Sequence, residues 1–165
     1  IDGERLIPFG IGSMGTCLPA AVGFALAKKM KGEEGMVYVL MSDGELQCGT
    51  TWESALIAAK HNLDNLVVMV DVNGFQAMGK TEDILNTPDH FDVWYSLGWQ
   101  VENQDGHDYE RMERDLNNFT GGYGPGVIFL ETIKGKGVSF MENNNLYHYK
   151  QLSGEEYREA LLELT

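Results

Sequence analysis

The sequence predicts an α/β fold, a mostly parallel sheet with helices on both faces. Three observations predict it. Short apolar runs without polar alternation mark strands buried on both faces. Segments of helical period stand between them. Strand and helix then alternate at a spacing that suits β-α-β units.

In chain order, residues 18–30 have an amphipathic helical period, and 36–41 form an apolar strand of six residues, Met36-Val37-Tyr38-Val39-Leu40-Met41. Helical period returns over 51–61, an apolar run over 66–70 is the second strand, and a further helix is expected over roughly 88–97. A strand at 99–101, a helix at 108–119 and a strand at 127–131 follow. The last helix, 153–164, opens with Ser153-Gly154-Glu155-Glu156, the Ser-x-x-Glu spacing of a capping box. No internal repeat or low-complexity linker interrupts this order, so residues 1–165 are read as one domain.

Composition narrows the function. With 43% hydrophobic and 22% charged residues the chain has an ordinary globular composition. Its longest apolar runs fall far below the roughly 20 residues that span a bilayer, so no membrane span or signal peptide is expected. The formal charge of −13 argues against nucleic acid as a partner. Cys17 and Cys48 lack CxxC spacing, and reduced thiols in a cytoplasmic protein are the expectation. A chain that opens at Ile1 is also expected to lack an N-terminal segment.

Ligands of parallel α/β sheets bind beyond the carboxyl ends of strands. After the first strand stands Ser42-Asp43-Gly44-Glu45-Leu46-Gln47, and after the second Val72-Asn73-Gly74-Phe75. Either dipeptide alone, Asp-Gly or Asn-Gly, is an ordinary turn. At two neighbouring strand ends they also present oxygen ligands for a hard cation such as Mg²⁺, with Asp43, Asn73 and a backbone carbonyl near Phe75 supplying one face of an octahedron. Gly44, without a side chain, lets the backbone approach a phosphate. An acidic protein that binds a diphosphate needs such a cation between the two anions.

Asn73 follows Asp43 by thirty residues, which resembles the Gly-Asp-Gly…Asn signature of thiamine-diphosphate (ThDP) enzymes. Trp52-Glu53, Leu63-Asp64-Asn65-Leu66, Asp105-Gly106-His107-Asp108 and the stretch from Lys134 to Glu142 narrow the resemblance to the N-terminal section of transketolase. It runs from about Gly10 to the last residue. Ser42 in place of the first glycine, and Tyr147-His148-Tyr149, are similar to transketolase proteins of split-subunit type.

The resemblance implies a ThDP-binding pyrophosphate-domain fold, with ThDP and Mg²⁺ or another divalent cation as cofactors. It implies Asp43, Asn73 and the Phe75 carbonyl as metal ligands, and Gly12-Ser13-Met14-Gly15 as a loop against the cofactor with Met14 on its rings. It places His148 near the donor ketose and diphosphate, and Glu53 near a subunit interface; a non-contacting His148 and a plain surface Glu53 stay open. Lys134 and Lys136 suit an anion, an interface or a solvated loop. His61, at a helix end, and His107, at a helix start, are read as structural, and His90 has no assigned role.

The implied reaction is transfer of a two-carbon ketol unit from a ketose to an aldose, as sugar phosphates. The family glutamate that pairs with the aminopyrimidine has no match here. A C-terminal, pyrimidine-binding transketolase section or subunit is therefore the expected partner, in a dimer of heterodimers. Cys48 stands where the family has glutamate, and Gly15-Thr16-Cys17 departs from its Gly-Gln-Gly or Gly-His-Gly. Two alternatives stay open: a catalytically degenerate scaffold half, or another ThDP enzyme such as a 1-deoxyxylulose-5-phosphate synthase.

Overall fold

A computed structural model of the chain describes residues 10–85, 90–119 and 122–165. Helix α1 (Cys17–Lys31) leads into strand β1 (Val37–Ser42), a 3-10 turn (Asp43–Gln47) and helix α2 (Gly49–Lys60). Strand β2 (Leu66–Val72) is followed by a small hairpin, β3 (Phe75–Gln76) with β4 (Gly79–Lys80), and by the short helix α3 (Thr81–Ile84). Helix α4 (His90–Ser96), strand β5 (Gln100–Asp105), helix α5 (Tyr109–Asn118) and strand β6 (Gly126–Glu131) complete the sheet layers. A 3-10 turn (Asn145–His148) and helix α6 (Gly154–Glu163) close the chain.

The sheet order is β1-β2-β6-β5, and every pairing is parallel. Its side chains divide into two cores. Val39, Met41, Val68, Val70, Val127 and Phe129 pack against α1, α2 and Trp94 of α4, while Val67, Ile128 and Leu130 pack against Phe119, Met112 and Leu116 at α5. Helices therefore cover both faces, as the apolar strand pattern requires. No helix among the described residues is long and apolar enough to cross a membrane.

Two expectations shift. The fifth strand is Gln100–Asp105 rather than 99–101, and it reads QVENQD. Trp99 is a core residue ahead of it, edge-on to Trp94 at 4.5 Å, with its Nε1 donating to the Ala55 carbonyl at 3.0 Å. The helix expected over 88–97 is His90–Ser96, and residues 86–89 lie outside the described residues.

The capping box forms as its spacing predicts. Ser153 Oγ accepts from the Glu156 N–H at 3.2 Å, and the Glu156 carboxylate accepts from the Ser153 N–H at 2.8 Å. The same carboxylate accepts from the Tyr147 hydroxyl at 2.9 Å and pairs with Lys150, so α6 is tied to the turn that carries His148. The Lys150 ammonium, aided by the Ser153 N–H and the Tyr147 hydroxyl, holds the Glu156 carboxyl down at about 2, against an ordinary 4.5. A carboxylate depressed on folding contributes stability above its unfolded pKa and loses it as pH falls through the folded one. Glu156→Gln is expected to melt below the parent at pH 7, with the gap closing between pH 4.5 and about pH 2 in thermal melts.

Candidate active site

The register of β1 on β2 sets Ser42 opposite Asp71. Asp43 and Asn73, just past these strand ends, therefore leave the sheet together. Asp43 is only 3% exposed. Its Oδ2 accepts from the Gly74 N–H at 2.8 Å and the Thr81 hydroxyl at 3.1 Å. Gly74 has φ +75°, a conformation that L side chains seldom adopt, and this turns its N–H onto the carboxylate. The Gly74 carbonyl then accepts from the Thr81 N–H at 2.9 Å, closing the loop around Asp43. Gln47 secures α3 from the other side, its Nε2 donating to the Thr81 and Leu85 carbonyls.

The other oxygen, Asp43 Oδ1, is buried and has no hydrogen-bond partner among the described residues. Burial pushes the Asp43 carboxyl above its ordinary range; the Gly74 N–H, the Thr81 hydroxyl and the Gly44 N–H pull it back, and neighbouring Asp71 raises it further. An ionised, half-satisfied buried carboxylate is costly unless a positive partner meets it. A divalent cation is such a partner, and the amide oxygen of Asn73, at the neighbouring strand end, is a neutral ligand that could join it. Among the described residues no group of three or more His, Cys, Asp or Glu side chains gathers for a metal.

Asn73 is held by a network that the sequence does not announce. Its Nδ2 donates to Asp71 Oδ2 at 2.9 Å, and Thr132 donates its hydroxyl to Asp71 Oδ1. With one amide hydrogen committed to Asp71, Asn73 presents Oδ1 toward the loop, where the Phe75 N–H reaches it at 3.0 Å. Asp71 carries a visible signal, the lone carboxylate in LVVMVDV; Thr132 and Thr81 carry none.

A second buried carboxylate, Glu45, fastens the glycine-rich loop. Its Oε1 accepts from the Gly15 N–H at 2.8 Å, and Thr50 Oγ1 donates to the Gly15 carbonyl at 2.6 Å. Gly15 has φ +75°, and a Cβ there would stand 2.5 Å from Thr50 Oγ1 and 2.9 Å from Cys48 Cβ, so only glycine fits. This brings Met14 over the Asp43-Gly44 turn: a Cβ on Gly44 would lie 3.0 Å from Met14 Cε. Met14 is half exposed, an apolar platform with an open side. Cys17 and Cys48 are free thiols whose pKa burial pushes up, with the Glu45 charge adding to it.

Two cavities flank the turn. One, about 570 Å³, is lined by Asp43, Gly74, Phe75, Thr81 and His90 among others. The other, about 330 Å³, takes in Gly12, Ser13, Met14, Ser42, Glu45 and Asp71. Asp43 and Phe75 line the first and Gly12 and Met14 the second; Gly44 lies against Met14, and Asn73 is hydrogen-bonded to Phe75 of the first lining and Asp71 of the second. Glu53 and His148 line neither cavity. Glu53 lies exposed on α2 beside exposed Leu56 and Ile57, and His148 is exposed with its ring 5.0 Å from that of Tyr149, on a turn packed against β3. His90 stacks between Trp52 and Phe129, and His107 accepts the Ile133 N–H on Nε2 at 2.9 Å, a structural contact.

A family model described as "Transketolase, thiamine diphosphate binding domain" matches residues 5–164. The chain belongs to this family. An apulose-4-phosphate transketolase subunit of Actinobacillus succinogenes is 39% identical over 158 residues, covering 96% of this chain and 57% of that protein. The 6-deoxy-6-sulfo-D-fructose transketolase subunit SqwG of a Clostridium species is 36% identical over 154 residues, 93% of this chain and 56% of that one. The chain thus spans a little over half the length of these relatives. Transketolase from Campylobacter jejuni has the same fold, with a TM-score of 0.88 at 27% identity over 93% of this chain and 25% of that one.

Proposed function

We propose that residues 1–165 form the diphosphate- and metal-binding domain of a split, ThDP- and Mg²⁺-dependent transketolase, whose site is completed by a C-terminal, pyrimidine-binding partner chain. The observation that carries this reading is Asp43 Oδ1, a buried acceptor without a partner, beside Asn73 and the side-chain-free Gly44. Asp43, Asn73 and the Phe75 carbonyl hold the cation, Gly44 brings backbone to the diphosphate, and Gly12 and Met14 border the rings. Asp71 keeps Asn73 oriented, and Glu45 keeps the Gly12–Gly15 loop closed on the turn.

When bound, the cofactor supplies the nucleophile and the electron sink for moving a two-carbon ketol unit between sugars. The chain's own residues bind, orient and screen it. His148 is assigned as a donor to a sugar hydroxyl or phosphate, and Glu53 to a subunit boundary. The relatives named for apulose 4-phosphate and 6-deoxy-6-sulfo-D-fructose support a ketose donor that carries an anionic group, a phosphate in the first name and a sulfonate in the second. Exposed Leu56 and Ile57 on α2 support a further association into a dimer of heterodimers; a cytoplasmic location belongs to the same proposal.

Calorimetry of the chain assembled with its partner is the test. ThDP is expected to bind saturably with Mg²⁺ present and to lose binding when the cation is chelated. Absence of ThDP binding in the assembled protein overturns the reading and favours a scaffold half.

A further inference from the structure

Gln76, the second residue of β3, carries a polar atom for which the site as described has no use. Its Nε2 is buried and has no hydrogen-bond partner among the described residues. Its Cγ and Cδ lie 3.2 Å from the point where a Cβ on Gly44 would stand, so the carboxamide rests against the residue that follows Asp43. The hairpin sets this placement, because Gln76 pairs with Gly79 across β3 and β4.

Two orphaned groups of opposite character thus stand at one turn: Asp43 Oδ1, an acceptor, and the Gln76 amide, a donor. A cation satisfies the first and cannot satisfy the second. A buried donor requires an acceptor, and the acceptor that arrives with a chelated cation is an anionic oxygen. Lys80 lines the larger cavity, but it is exposed and pairs with Glu82 at 3.5 Å. Resting on the function proposed above, we infer that the Gln76 carboxamide donates to a diphosphate oxygen of ThDP next to the cation, as a positioning and binding residue. A neutral donor suits this place, since it adds hydrogen bonding without pairing off the carboxylate that the cation needs.

Gln76→Met keeps the side-chain length and deletes the donor; Gln76→Glu sets a carboxylate against the diphosphate. In the chain assembled with its partner, with Mg²⁺ present, ThDP is titrated by calorimetry, and thiamine, which has the rings but no diphosphate, by competition. A lost hydrogen bond to a charged acceptor predicts ThDP binding about tenfold weaker or more in Gln76→Met, weaker still in Gln76→Glu, with thiamine affinity unchanged. Equal ThDP affinity in parent and Gln76→Met overturns the inference while leaving the proposed function standing. A parallel loss of thiamine and ThDP also overturns it, showing that Gln76 only packs the turn. Asn145 offers the other acceptor, since its Oδ1 is buried and unpartnered on the turn packed against β3. If Asn145→Ala weakens ThDP binding as Gln76→Met does, the amide serves that turn and the inference falls. A parent that binds no ThDP at all overturns the proposed function, and this inference with it.

Discussion

Asp43→Asn is expected to abolish Mg²⁺-dependent ThDP binding while raising the melting temperature of the cofactor-free chain at neutral pH. The two effects share one cause. Burial raises the Asp43 carboxyl, so the folded, metal-free chain holds its proton more tightly than the unfolded chain does. Stability therefore falls as pH rises from the unfolded pKa through the raised folded one, and the deficit is full once the folded carboxyl has ionised. Asparagine retains an oxygen for the Gly74 N–H and the Thr81 hydroxyl and removes the charge.

The cation reverses this balance. Beside a divalent ion the ionised carboxylate becomes the favoured form, and a neutral amide replaces it poorly as a ligand. Thermal melts with and without Mg²⁺ and ThDP separate the two states. The parent is expected to gain melting temperature on loading and Asp43→Asn is not, while the variant's advantage without ligand disappears toward low pH. A variant that melts below the parent at pH 7 without ligand, or that still gains stability on loading, contradicts this role for Asp43.

Part of this site is legible in the sequence because its residues sit at strand ends. β1, β2 and β6 are apolar on both faces, so their carboxyl ends, and with them Asp43 and Asn73, are readable from composition along the chain. β5 is readable only at its start: from Glu102 to Asp105 it is polar, with three of the four exposed and only Gln104 buried. The β3–β4 hairpin and α3 are too short to impose a period. They exist because Gly74 and Thr81 converge on the Asp43 carboxylate, a tertiary cause. The same holds for Thr132, which reaches Asp71 from the end of another strand. Asp71, by contrast, is visible as a charge closing an apolar run, and its role follows from the Asn73 amide that rests on it.

The purified chain is expected to be inactive alone and to gain ketol transfer on titration with a pyrimidine-binding partner chain. In the function proposed above, this chain supplies Asp43, Asn73 and Gly44 to metal and diphosphate and Met14 as an apolar platform, and Met14 is half exposed. Glu45, the buried carboxylate behind the loop, is already committed to the Gly15 N–H. A site whose second wall comes from another chain couples the two equilibria. Each ligand that binds only the assembled form stabilises the assembly by mass action, and partner binding tightens the cofactor reciprocally. Apparent ThDP affinity and turnover should therefore rise together along the titration and saturate at the same partner ratio. Ketol transfer by the chain alone, or an affinity for ThDP that ignores the partner, would sink the idea of a shared site.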